Sequence, residues 1–352
     1  MKMKTTIPLF PFVTRFSRGV FGSMSLGDEL KKKAEAGDAV ARYKLGVMYA
    51  DGDGVQQDSA EAAKWILKSA EQGYARAQLL LGIMYCDGEG MKKDVAEAAR
   101  WFRKSAEQGD ADGQFRLGFL CAEGDGVQQD NSAAVKWRRK SAEQGHARAQ
   151  LHLGLMYARG DGVLKDTTEA AKWFRKSAEQ GNAGAQLMLG VMHDKAHGVL
   201  KDTTEATKWY LKSAEQENTN AQSRLGGVYS VGDGVQQAYA KASKWRRKSA
   251  EQGHAGAQLE LGARYDTGVG VQQDIAEANK WFRKFAEQGN ATAQFPDVAK
   301  SEIESLPKTE AVLLRLTKQD KQEIVSAASV LQLTVTEFLT KSALIVATKV
   351  SK

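Results

Sequence analysis

The sequence predicts an all-α protein, a solenoid of seven helix-pair repeats followed by a small C-terminal strand-helix-helix module. Three observations lead there. All seven tryptophans fall 36 residues apart, at Trp65, Trp101, Trp137, Trp173, Trp209, Trp245 and Trp281, and fixed self-similarity at this length marks a helical repeat array. The 34 glycines against 4 prolines suit helices joined by a recurrent glycine-containing loop. Past Pro296 the tryptophans and the repeat phrase both stop, so the remaining chain needs a different reading.

The N-terminal stretch, residues 1–24, carries Lys2, Lys4, Arg15 and Arg18 around the apolar run IPLFPFV. That run holds two prolines and is too short to cross a membrane, which takes ~18 apolar residues. It lacks the small-residue cleavage site of a signal peptide. We read residues 1–24 as disordered, with Met24 as an alternative start. No other stretch approaches a membrane span, and a cytoplasmic protein is the expectation.

Residues 25–295 form the expected solenoid, with seven 36-residue repeats running from 39 to 290. Positions within a repeat are numbered 1–36 from Ala39. The repeat at 147–182 reads ARAQLHLGLMYARGDGVLKDTTEAAKWFRKSAEQGN. Ala149, Leu153, Met156 and Tyr157 recur at helical spacing and make one apolar face. The polar residue before a repeat, such as Asp38, Asp110, His146 or Asn182, is placed to start this helix. Gly160-Asp161-Gly162 breaks it, because glycine tolerates positive φ. Asp166 or Thr167 caps a second helix whose core face holds Ala170, Trp173 and Ala178, and Gly181 closes it. Burying one tryptophan removes ~200 Å² from water, a gross ~5 kcal/mol, so the tryptophan ladder reads as packing. A lysine follows each tryptophan by three. Repeats five and six depart from the pattern: His193, Ala196, Glu217, Ala238 and Lys241 replace the usual residues, and the array is expected to bend or loosen near 193–240. An eighth repeat begins at ATAQ and is stopped by Pro296.

The shared pattern, AxAQxxLGxMYxxGxGVxxDxxEAxKWxxKSAEQG, resembles the Sel1-like repeat, a relative of the tetratricopeptide repeat, over about residues 39–290. The resemblance implies a right-handed superhelix of antiparallel helix pairs. It also implies a scaffold or adaptor role in protein complexes.

Little in the sequence points to chemistry. The net charge is +7, but residues 1–24 hold four of the basic residues, and residues 296–352 hold eight Lys/Arg against seven Asp/Glu. The repeats therefore lack the concentrated basic excess of a nucleic-acid-binding body. Cys86 and Cys121 make no disulfide framework and no metal spacing; Cys121 stands where other repeats have Tyr49, Tyr85 or Tyr157. DGDGVQQD at 51–58 lacks the ligand spacing of a calcium loop. His193 and His197 are four apart, a spacing that holds zinc on a helix, yet Gly198 is next and no third ligand is evident. No nucleophile-base grouping stands out. We expect no catalytic residue, no metal, no cofactor and no enzyme activity. Lys136, Arg139 and Lys140, with Lys244, Arg247 and Lys248, form a basic edge that reads as a solvated face.

A binding surface emerges from comparing the repeats with one another. Positions 2, 6 and 9 make a stripe on the first helix, and they vary while core positions do not. Position 6 gives Lys44, Leu80, Arg116, His152, Met188, Arg224 and Glu260; position 9 gives Val47, Ile83, Phe119, Leu155, Val191, Gly227 and Ala263. If the first helices line the inner wall, as in related repeats, repeats two to five present an apolar strip edged by Arg116, Arg148 and His152. Such grooves hold peptides or helices. The expected partner-binding residues are Lys44, Leu80, Arg116, Phe119, Arg148, His152, Met188 and Arg224. The competing reading makes position 9 semi-buried packing.

After a linker at 296–309, EAVLLRLT at 310–317 suits a short strand. Thr317-x-x-Asp320 and Thr334-x-x-Glu337 are capping boxes that open two helices. Residues 310–352 resemble a ribbon-helix-helix module, and the stretch from LRLTKQDKQEIV onward looks like TacA-type antitoxins. That resemblance implies a homodimer whose paired strands enter the DNA major groove. Leu313 and Arg315 would face DNA, and Thr334 and Thr336 would meet phosphate. The alternative is that these helices cap the open end of the solenoid. Two functions are consistent with this sequence: a scaffold that binds a protein partner, or a DNA-associated regulator that dimerises through its C-terminal segment.

Overall fold

Every repeat becomes two 13-residue helices because its caps and loop glycines recur at fixed positions. The computed structural model describes residues 23–288. Two compact units divide the chain, Met1–Gln180 and Gly181–Lys352. The first contains α1 (Ser23–Glu35), α2 (Ala39–Asp51), α3 (Ser59–Glu71), α4 (Ala75–Asp87), α5 (Val95–Glu107), α6 (Ala111–Glu123), α7 (Asn131–Glu143), α8 (Ala147–Arg159) and α9 (Thr167–Glu179). The second contains α10 (Ala183–Lys195), α11 (Thr203–Glu215), α12 (Thr219–Val231), α13 (Tyr239–Glu251), α14 (Ala255–Thr267) and α15 (Ile275–Glu287). The described residues are helical, with no strand among them. The expected linker and strand-helix-helix module, including Leu313, Arg315, Thr334 and Thr336, lie outside the described residues, as do residues 1–22 of the N-terminal segment.

Local chemistry sets the helix ends. Asp38, Asp110, Asn182 and Asn218 accept a backbone N–H through a side-chain oxygen at the start of each first helix. His146 and His254 do the same with Nδ1, and Tyr74 makes no side-chain cap. Of the two candidate caps for α9, Asp166 is the one used: its carboxylate accepts from Glu169 N–H at 2.9 Å. The loop between paired helices needs glycine for space as well as for φ. Gly126 has φ +69°, and a Cβ there would lie 2.5 Å from the Val95 carbonyl of the preceding repeat.

Within each compact unit, packing joins a repeat to its neighbour. Trp101 shares a core cluster with Ala62, Ile66 and Ala70 of the repeat before it and with Leu81 and Met84 of its own. Polar side chains complete the seam, because the last carbonyls of a helix have no partner within it. Gln150 donates to Ala142 O at 3.0 Å, and its own Oε1 accepts from Gln180 at 2.7 Å. Within the repeat, Ser177 of α9 donates to Ala147 O at the start of α8 at 2.7 Å.

Helix α1 extends this pattern ahead of Ala39, where the repeats were expected to start. Its Ala34 is fully buried with Ala41, Leu45 and Trp65. It takes the place of a second helix, and Glu29 stands 36 residues before Trp65. The first repeat has Arg42 where later repeats have the seam glutamine, and Arg42 Nε donates to Ala34 O at 2.9 Å.

Residues 193–240 keep helices of full length, but two non-glycine residues there hold left-handed backbone, Ala196 at φ 56° and Glu217 at φ 64°. Ala196→Gly and Glu217→Gly should each stabilise the second compact unit by about 1 kcal/mol, since L-residues pay roughly that in this region. Trp173, 5% exposed, anchors the first compact unit, and Trp173→Ala should cost ~3–5 kcal/mol. Urea denaturation of the three variants checks both expectations.

Candidate functional site

The side chain at position 28 of each second helix lies against a first-helix glycine at position 8. A Cβ on Gly154 would sit 2.7 Å from the Phe174 ring, and one on Gly118 would sit 2.9 Å from Arg138 Cγ. Within each compact unit the far end of a position-28 side chain meets position 6 of the next repeat. The Arg116 guanidinium is 5.9 Å from the Phe102 ring centroid, and Arg224 is the same distance from Tyr210. Ile66 and Leu80 fall in one cluster, and Arg246 forms an ion pair with Glu260. Position 6 therefore varies partly because position 28 beneath it varies.

Position 28 holds Ile66, Phe102, Arg138, Phe174, Tyr210, Arg246 and Phe282. The two arginines were missed in the sequence because each sits inside a basic run, KWRRK. Repeat register is the signal that finds them, since every other residue in the series is apolar or aromatic. Both are 5% exposed. Arg139, Lys140, Arg247 and Lys248 of the basic edge turn onto aromatic rings. Arg139 donates to the Tyr157 hydroxyl, and Lys140 lies 4.6 Å from the Trp137 ring centroid. All seven of the lysines three residues past the tryptophans make this contact, at 3.8 to 5.0 Å, each worth ~0.5–1 kcal/mol at an exposed site.

A cluster forms on α6 and α8. The Phe115 ring lies 5.0 Å from His146 and 5.4 Å from His152. His146 caps α8 through Nδ1, which accepts from Ala149 N–H at 3.0 Å. Its proton is therefore on Nε2, which donates to Asp112 Oδ1 at 3.0 Å. This hydrogen bond holds the Asp112 carboxyl below its ordinary range. Burial, and then the charges of Arg138, Arg148 and Arg159, push the His152 imidazole down to about 4, so it is neutral at pH 7. Burial also lowers Arg116 and Arg138. Arg138 reaches Met156 Sδ with Nη1 at 3.3 Å, its Nε has no hydrogen-bond partner, and among the described residues no carboxylate pairs with it.

The sequence-predicted stripe is split between the two compact units. In the first, Lys44 and Arg148 are exposed, and Leu80, Arg116, Phe119 and His152 are half-buried. Arg148 acts electrostatically on both Arg116 and His152, so these three share one neighbourhood. Met188 and Arg224, both half-buried, occupy the stripe in the second compact unit. Leu80 and Met188 pack against core clusters. So do Val47, Val191 and Ala263 of position 9.

Elsewhere, α10 ends at Lys195 and Ala196 turns left-handed, so His193 and His197 do not share a helical turn. Among the described residues no group of three or more His, Cys, Asp or Glu is placed to hold a metal ion. Burial pushes the Cys86 thiol up to about 11 and raises Cys121 as well. No helix among the described residues is long and apolar enough to cross a membrane.

The family model described as Sel1 repeat matches seven consecutive segments, residues 39–74, 75–110, 111–146, 147–182, 183–218, 219–254 and 255–290. A similar crystal structure is that of a protective antigen present in uropathogenic Escherichia coli strains and displaying an SLR fold. It is 37% identical, with a TM-score of 0.66, over 81% of this chain and 69% of that one. The crystal structure of a Sel1 repeat protein from Oxalobacter formigenes is 33% identical, with a TM-score of 0.64, over 82% of this chain and 83% of that one. No curated protein matches the chain.

The His152 imidazole lies below its ordinary value of 6.5 in the folded chain, so the unfolded chain takes up that proton first on acidification. Its contribution to stability is complete above pH 6.5 and drains away as the pH falls toward about 4. His152→Gln should flatten the stability profile across that window, as read by urea midpoints at a series of pH values.

Proposed function

The chain belongs to the Sel1 repeat family, and we propose that it is a scaffold or adaptor that holds a protein partner on the first-helix face of its repeats. Proteins of this family generally mediate protein–protein interaction. The observation that carries the reading is the gathering of Arg116, Arg148 and His152 beside Phe115 on α6 and α8. A repeat array holds its core positions constant and presents variable ones in a row, which suits an extended binding surface. Arginine and aromatic side chains are enriched among the residues that dominate such interfaces. Lys44, Leu80 and Phe119 belong to the same face of the first compact unit, and Met188 and Arg224 hold the corresponding positions in the second.

Arg148 is exposed and Arg116 half-buried, so both can be truncated without opening the core. The double variant Arg116→Ala/Arg148→Ala should keep its far-UV circular dichroism and lose the partner captured by the unmodified chain in a crosslinking pull-down. Equal recovery of that partner by both proteins would sink the proposal.

A further inference from the structure

Two stretches of this chain are identical over eleven residues, KWRRKSAEQGH at 136–146 and at 244–254. Each buries an arginine at position 28, Arg138 in one and Arg246 in the other. Each ends on a histidine that caps the next helix through Nδ1. The helices they lead into differ at position 6. Arg246 pairs with Glu260, which reaches it from that position of α14. The residue in that place beside Arg138 is His152, neutral at pH 7 and unable to supply a negative charge.

A buried cation without a counter-charge is costly, because it has lost its hydration and gained nothing in return. Arg138 has a thioether sulfur on Nη1 and no partner on Nε. Glu123 and Asp161 act on it through Coulomb attraction, with no ion pair to either. Asp112 of α6 is committed to His146. The same neighbourhood carries Arg116, Arg148 and Arg159, so the local field favours an incoming anion.

Resting on the reading of the first-helix face as the binding surface, we propose that Arg138 is the receptor for an acidic side chain of the bound protein, a carboxylate that enters beside His152 and makes the ion pair Glu260 makes with Arg246. Glu260 also defines the route and the ligand. A carboxylate on a two-methylene arm reaches the buried guanidinium from a position that is itself only partly covered, with 28% of the Glu260 side chain exposed. Arginine presents a planar fork of donors that matches a carboxylate, which gives such a contact specificity as well as strength.

The test compares the full chain with His152→Glu, which would supply the missing carboxylate from within, and with Arg138→Met, which returns position 28 to the apolar series. The probes are the amide of N-acetylglutamic acid, whose side-chain carboxylate is free, and the amide of N-acetylglutamine, at equal ionic strength. Without probe, His152→Glu should melt about 2–4 °C above the unmodified chain. The acidic probe should raise the melting temperature of the unmodified chain alone, and the neutral probe should raise none. A His152→Glu protein that melts no higher than the unmodified chain overturns the inference. So does an acidic probe that shifts all three proteins equally, the behaviour of a bulk anion. Should His152→Glu fail to fold, the probe response of the unmodified chain against Arg138→Met still decides. Pull-down separates the two readings. A partner lost by Arg116→Ala/Arg148→Ala and retained by His152→Glu overturns the carboxylate slot and leaves the scaffold standing. A probe response confined to the unmodified chain, with the partner retained by the double alanine variant, supports the slot and removes the scaffold surface.

Discussion

The first helix of every repeat has a glycine at position 8 because the side chain at position 28 occupies the space a Cβ would take. At Gly82, Gly154 and Gly262 that occupant is a phenylalanine ring, and at Gly118 and Gly226 it is the arm of an arginine. Close approach of the two backbones forces position 28 inward whatever its chemistry. An apolar residue there gains from burial. An arginine arrives at the same depth and needs its charge answered. The residue above it, at position 6 of the next repeat, becomes the place where that answer is given or withheld.

Between repeats a set of polar bonds runs beside the apolar contacts and recurs with equal regularity. A glutamine reaches back to the carbonyl at the end of the preceding second helix, and a second glutamine donates to the first. Each such bond contributes about 1 kcal/mol net, but an unanswered helix end inside the stack would cost more. That asymmetry explains why Arg42 can stand in for glutamine at the first seam, where Ala34 O still needs a donor. Two positions break the regularity. Ser105 Oγ and Gln258 Oε1 are buried without a hydrogen-bond partner.

The parts of the fold governed by short-range chemistry were legible in the sequence: the tryptophan period, the Asp and Asn caps, the loop glycines. Helix α1 was not, because the residue in the tryptophan register is Glu29 and the period is carried by tryptophan. The candidate site was half legible. Arg116, Arg148 and His152 could be found as a stripe because they vary where the core does not. The sequence set a partner reading of the stripe beside a packing reading at position 9, and the structure adds that position 6 meets position 28 of the preceding repeat. Arg138 was hidden by its neighbours, since a run of basic residues on a helix reads as a solvated edge unless each is placed in repeat register. His146 looked like a generic polar starter, and only its contacts with Ala149 and Asp112 reveal which nitrogen carries the proton.

An arginine at position 28 makes the stability of its seam conditional. With glutamate at position 6 the charge is answered within the chain, as by the ion pair of Arg246 with Glu260 between α13 and α14. With histidine at position 6 the seam between α7 and α8 lacks its counter-charge, and any anion that binds the folded form there stabilises it by mass action. In a repeat array the stability of a segment is a sum of repeat and neighbour terms, so the effect stays at that seam instead of spreading through the chain. Recognition and local stability would then be read from the same pair of positions. A repeat could gain or lose a partner through one substitution at position 6, with the aromatic core untouched.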